Sequence, residues 1–273
     1  MIPDEDINDA IARGDRQAVK AWLNAEDSDV NALSVYGQSM LGTCVLAAAQ
    51  SQSKYEARNH LEVARMLVAR GASANVLGYA RLLRSPLVMP ITSLNVAGTD
   101  EMYAWYDLLI GAGADPNSTS EVLVDGFRCR MSMLSRVCFF FPATALITTE
   151  KRLALIKLLL RAGAATSPCA TAGAGAGQRW VPTYDAIWAL DDAVARAPNL
   201  ADDEHCVAAK RLVEGVLAAG SYKKYLRLPL QELLNLLSLA QRGKLATTDP
   251  VMKALVGVDN HVVWNVLTYW AES

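Results

Sequence analysis

The side chains able to make or break bonds are few in this 273-residue chain, and their spacing does not suit catalysis. His60, His205 and His261 lie far apart, each near the start of a helical segment, where an imidazole caps the helix or sits on the surface. His205 stands beside Cys206, a pair of metal-ligand types, but no third ligand follows at metal-site spacing. Cys44, Cys129, Cys138, Cys169 and Cys206 are odd in number and never form a C-x-x-C pair, so they read as buried thiols of a reducing compartment. The carboxylate pairs Asp191-Asp192 and Asp202-Asp203 fall where helix ends are expected and would offset the helix dipole, not share a proton. The Gly173–Gly177 run has no strand before it, and Gln178-Arg179-Trp180 follow where a phosphate loop needs a Lys-Ser/Thr pair or an acidic residue. It reads as a flexible insertion. The expectation is a protein without catalytic residues, metal or cofactor, and not an enzyme.

A different chemistry is carried by arginines mixed with aromatics in the connecting segments. Tyr79, Arg81 and Arg84 fall in one connection, Phe127, Arg128 and Arg130 in the next, and Arg179 and Trp180 in a third. Such side chains bury area and hydrogen-bond at low entropic cost, the composition of protein-interface anchors. These eight residues are the candidate partner-binding set, facing an acidic surface.

The elements that must position them repeat. Residues 92–117 read as a helical hairpin: a short helix with Leu94 and Val96, a turn at Gly98, a cap at Thr99 or Asp100, then a helix with Met102, Trp105, Tyr106, Leu109 and Ile110 on one face. Gly111, Gly113 and Pro116 end it. Similar endings start at Leu23, Leu67, Leu109, Leu159 and Val216, which are 44, 42, 50 and 57 residues apart. A unit this small cannot bury its own apolar face and needs neighbours stacked on it. The expected pieces are helices around Ile11 and Trp22, a unit from Gly37 with a polar insertion over 50–59 and an outer helix over 61–69, and a loop over 118–130. Two helices about Leu134 and Ile156 follow, then a unit at Trp188 with an insertion over 196–204.

The 92–117 stretch resembles an ankyrin repeat: Thr92, Leu94, Leu109, Gly113, Ala114, Asp115 and Asn117 fall on that family's pattern without a gap. Ser93, Asn95 and Gly98 depart from it in the first half. The resemblance implies an all-α ankyrin-repeat solenoid of about five irregular helix-turn-helix units over residues 1–228, with long inter-repeat insertions. From Pro229 the rhythm stops, and leucine-rich and Val-Trp-rich helices form a C-terminal cap over 229–273. This tail is similar to endings of ankyrin proteins from unicellular algae, on Arg242, Gly243 and the run 263–270. The implied function is non-catalytic: a scaffold or adaptor binding a protein partner through the hairpin loops and the concave face. The alternatives are a stably bound structural subunit of a large assembly, or a ubiquitin-ligase substrate adaptor.

The totals fit this picture. The chain is 52% hydrophobic with a formal charge of −2, which argues against a general nucleic-acid binder and leaves only local charged patches. The acidic opening Met-Ile-Pro-Asp-Glu-Asp is unlike a signal peptide, and no apolar run is long enough to span a bilayer, so no membrane insertion is expected. The expected location is cytoplasmic, with a mature organellar protein, for example of the chloroplast, as the alternative.

Overall fold

The computed structural model describes residues 4–25, 28–34, 37–51, 53–75, 99–124, 127–139, 148–167 and 185–244, together with scattered positions from 246 to 265. The described chain is mostly helical. Its elements are α1 (Asp4–Ala12), α2 (Arg16–Leu23), α3 (Met40–Gln50), α4 (Lys54–Ala69) and α5 (Thr99–Gly111). An antiparallel hairpin of β1 (Thr119–Val124) and β2 (Phe127–Ser132) follows. After it come α6 (Met133–Phe139), α7 (Thr149–Arg161), α8 (Ala186–Arg196), a 3-10 turn (Pro198–Ala201), α9 (Glu204–Ala219) and α10 (Tyr222–Gln241). Two compact units divide the chain, Met1–Val213 and Glu214–Ser273.

In the first unit the helices pack in two sets. α2 packs on α4, α4 on α5 and α5 on α7, while α1 packs on α3 and α6 on α8. Within pairs, α1 meets α2, α3 meets α4 and α6 meets α7. The buried faces are those expected from the apolar spacing: Ile7, Ala10 and Ile11 on α1, Val19, Trp22 and Leu23 on α2, and Trp105, Tyr106 and Leu109 on α5. All seven residues of α6 are buried, Ser135 and Arg136 included, as befits a helix covered on every side.

The Leu-x-x-x-Gly-Ala endings have one physical cause. At Gly71, Gly113 and Gly163 the backbone turns left-handed, with φ of 89°, 81° and 95°, a region that glycine enters without steric penalty. The glycine N–H then donates to Val68, Ile110 or Leu160 O, and the next alanine N–H donates to Leu67, Leu109 or Leu159 O. This is the Schellman pattern, and it satisfies carbonyls that the helix end leaves open. The leucine accepting the longer bond and the alanine donating it are both buried, closing the turn with an apolar contact.

Successive turns are tied by asparagines. Asn31 Nδ2 donates to Gly71 O (3.2 Å), and its Oδ1 accepts from Ser73 N (2.8 Å). Asn75 repeats this on Gly113 O (2.7 Å) and Asp115 N (2.8 Å). Asn117 repeats it on Gly163 O (3.4 Å) and Ala165 N (2.8 Å). Each asparagine is set by an oxygen two residues earlier, from Asp29, Ser73 or Asp115, that accepts its own N–H. At the fourth turn Ala165 and Ser167 stand at the corresponding positions, so neither the orienting oxygen nor the amide is present.

Several local expectations are corrected. The polar residues after Gln50 are not an insertion: Ser53 Oγ accepts from Glu56 N (3.2 Å) and α4 starts at Lys54. Lys54, Tyr55, Glu56 and Arg58 form its outer face while Ala57 points inward. Thr99 and Asp100 are the first residues of α5, not caps before it. The supposed loop over 118–130 is the β1–β2 hairpin. The connection after Arg196 holds the 3-10 turn and then Asp203, whose Oδ1 accepts from Cys206 N (2.8 Å) to cap α9. Asp191 and Asp192 are interior to α8, where they pair with Lys210 and Arg196.

The second unit contains the end of α9 and all of α10. α10 starts at Tyr222, earlier than Pro229, because Ser221 Oγ accepts from Lys224 N (3.2 Å) and supplies the cap. Pro229 lies inside it on the exposed side, removing one helical bond without breaking the helix. Leu237 and Val263 are buried together, with Leu230, Leu233, Leu234, Val256 and Val258 around them. The Tyr225 ring lies against Gly215, where any β-carbon would collide with it. The rest of the Val-Trp-rich run, except Asn265, lies outside the described residues.

Candidate partner-binding surface

Of the eight residues proposed to bind a partner, Tyr79, Arg81, Arg84, Arg179 and Trp180 lie outside the described residues. The other three, Phe127, Arg128 and Arg130, lie on β2. Their main chain is held by the ladder, in which Phe127 pairs with Val124, Arg128 with Leu123 and Arg130 with Glu121. A loop would let these positions wander; a strand fixes their main chain at about 3.4 Å per residue, with Phe127 and Arg128 successive and Arg130 two steps after Arg128. β2 packs on α6 and runs directly into it at Met133, so the hairpin is anchored in the buried centre of the unit. Met131 and Ser132, the last residues of β2, are buried, and Ser132 Oγ accepts from Ser135 N (3.1 Å) at the start of the helix.

A second feature was missed by sequence reasoning. His60 is neither a cap nor a surface residue; it is 4% exposed, in the middle of α4. Its ring lies on the α1–α2 turn, so that a β-carbon on Gly14 would sit 3.1 Å from Cε1. Burial lowers its pKa below 6.5, partly opposed by a hydrogen bond to the Ile11 backbone and by the nearby Glu56 carboxylate. Beside it, Ala12, Arg13, Thr43, Leu46, Ala47, Gln50, Ser51 and Glu56 line an open pocket of ≈ 540 Å³. The other histidines fit expectation: His205 is the second residue of α9, and His261 is exposed.

The remaining buried polar groups belong to the core. Cys44, Cys138 and Cys206 are free, buried thiols. Burial pushes all three thiol pKa values up, and Cys44 Sγ donates to His60 O (2.9 Å). A thiol held protonated is a poor nucleophile and a poor metal ligand. Arg152 is 2% exposed and its pKa is brought down to about 10 by burial, which still leaves it charged at neutral pH. Among the described residues no group of three or more His, Cys, Asp or Glu is placed to hold a metal ion.

Compared with known proteins, the chain matches no family model and no curated sequence. Its functional reading therefore rests on its own residues and geometry.

Proposed function

We propose that residues 1–228 form an ankyrin-type stack and that the protein is a non-catalytic scaffold or adaptor holding another protein. The observation that carries this reading is the asparagine ladder. Three turns separated by 38–48 residues are tied to the next by the same two-bond contact, as a stack of like units requires. In such a stack the connections between pairs project along one edge, and here they hold the arginine–aromatic set. The β1–β2 hairpin is the best-defined of these connections, and Arg128 and Arg130 on it suit an acidic partner surface.

A permanently bound structural subunit is the second reading. The long connections between units favour it, because segments without a core of their own often order only against neighbours. Both readings are tested by size-exclusion of native cell extract followed by mass spectrometry of the co-migrating proteins. A large salt-resistant complex is expected for a subunit, and migration near 29.5 kDa for a transient adaptor. A variant carrying Arg81→Glu, Arg84→Glu, Arg128→Glu and Arg130→Glu is expected to lose its partner on crosslinking. Unchanged recovery would reject the arginine surface.

A further inference from the structure

The pocket beside His60 lies where two turns meet. α1 packs on α3 and α2 on α4, so the α1–α2 turn and the α3–α4 connection share one edge of these four helices. The connections after α2 and α4 leave from the opposite helix ends, which keeps this edge separate from the arginine–aromatic set. Ala12 at the end of α1 and Leu46 and Ala47 of α3 give the pocket an apolar floor. The His60 ring, 4% exposed, forms its buried wall and stays uncharged at neutral pH because burial lowers its pKa. A volume of ≈ 540 Å³ falls within the range of small-ligand sites.

The polar rim is divided between two charges. Arg13, on the α1 side, is exposed and makes no ion pair among the described residues. On the α3–α4 side the oxygens are acceptors. Thr43 Oγ1 gives its proton to Ser39 O (3.2 Å), and the buried Ser51 Oγ gives its own to Ala47 O (3.0 Å). Glu56 adds a carboxylate to this side. One side therefore calls for an anion and the other for N–H donors, and the exposed Gln50 amide can serve either. A free anion such as phosphate would meet Arg13 but also the Glu56 carboxylate and two hydroxyls with no proton to give. A metal ion would find a single carboxylate opposite a guanidinium. A molecule that carries both charges satisfies both sides, and an ammonium has three protons for the three acceptors. We propose that this pocket binds a dipolar ligand, an apolar α-amino acid or short peptide, with its carboxylate on Arg13 and its ammonium on Glu56, Thr43 and Ser51. The apolar side chain covers Leu46 and Ala47.

The test is an NMR titration of the isotope-labelled full-length protein at neutral pH with L-leucine and with dileucine. Amide signals of 12–13, 43–51 and 56–60 are expected to shift at millimolar ligand, and the tighter of the two probes shows whether an amino acid or a peptide is the occupant. N-acetyl-leucine lacks the ammonium and leucinamide lacks the carboxylate. Each should bind at least about tenfold more weakly, the worth of one hydrogen bond to a charged group. Arg13→Gln should abolish the preference for leucine over leucinamide, and Glu56→Gln the preference over N-acetyl-leucine. Both side chains are exposed, and an unchanged melting temperature would verify folding; comparing the four probes on the unaltered protein needs no variant. Equal binding of the capped probes, shifts scattered away from the pocket, or no shift with either leucine or dileucine would overturn the proposal. So would an unchanged preference over leucinamide in the folded Arg13→Gln protein.

Discussion

Each bridging asparagine offers both halves of its amide to main chain, not to side chains. The bridge therefore tolerates Ser73, Asp115 and Ala165 at the position it reads. Asn75→Ala should lower unfolding free energy by about 1 kcal/mol, the net worth of such bonds at a solvent-exposed site. Asn75→Asp should cost at least as much, because a carboxylate cannot donate to Gly113 O. Urea unfolding of the two variants decides it, and an Asp variant as stable as the parent would remove the bridge from the account. His60 gives a pH dependence. Its folded pKa lies below the 6.5 of the unfolded chain, so its stabilising effect is complete above pH 6.5. As pH falls further, the unfolded chain binds the proton first and stability is lost until the lowered folded value is passed. His60→Leu should flatten this part of the stability–pH curve; an unchanged slope would show that other groups cause it. The buried thiols should resist alkylation in the native state, Cys44 and Cys138 most of all, and label only after unfolding. Peptide mass spectrometry reads this directly.

At the scale of elements, what could be read from the sequence depended on whether a rule of period or of turn chemistry applied. The faces of α1, α2 and α5 were legible because their apolar residues recur at helical spacing, and the helix ends because glycine followed by a small apolar residue leaves little alternative. Those glycines make a graded prediction. At Gly113 an added β-carbon meets nothing within 4 Å, so Gly113→Ala should cost only the left-handed backbone, about 1 kcal/mol. At Gly14 the φ is also positive, 68°, but the β-carbon would press on His60 at 3.1 Å, so Gly14→Ala should cost more. Thermal unfolding of both variants, measured together, tests the order. The start of α4 was obscured because its inward positions in the first two turns are Ala57 and a histidine, neither of which marks an apolar face. The hairpin had a signal that went unused: Val122-Leu123-Val124, then Asp125-Gly126, then Phe127, a two-residue connection of the type that joins antiparallel strands. Length argued for a loop, and turn chemistry argued correctly for strands. Of the eight candidate residues, Phe127, Arg128 and Arg130 lie on β2, and the other five lie outside the described residues.

At the scale of the molecule, the asparagine ladder predicts how stability is shared. Where each helix pair touches only its neighbours, stability is a sum of units and junctions, and a weakened junction divides the array at that point. Asn31 ties the turn after α2 to the turn after α4, at one end of the first unit, whereas Asn117 ties the turn after α5 to the turn after α7, in the middle. Equal chemistry at the two sites should therefore have unequal consequences. Asn31→Ala should raise hydrogen exchange in α1 and α2 alone, as fraying of an end. Asn117→Ala should separate the exchange of α1 to α5 from that of α6 to α8, and its urea transition should broaden, because two blocks no longer unfold together. The extra bonds of the hairpin do not offset this, since β1 and β2 pair with each other and not across the junction that Asn117 closes. If both variants lowered protection uniformly from α1 to α8, the unit would be a single cooperative core and not a stack, and the ankyrin-type reading would fall with it.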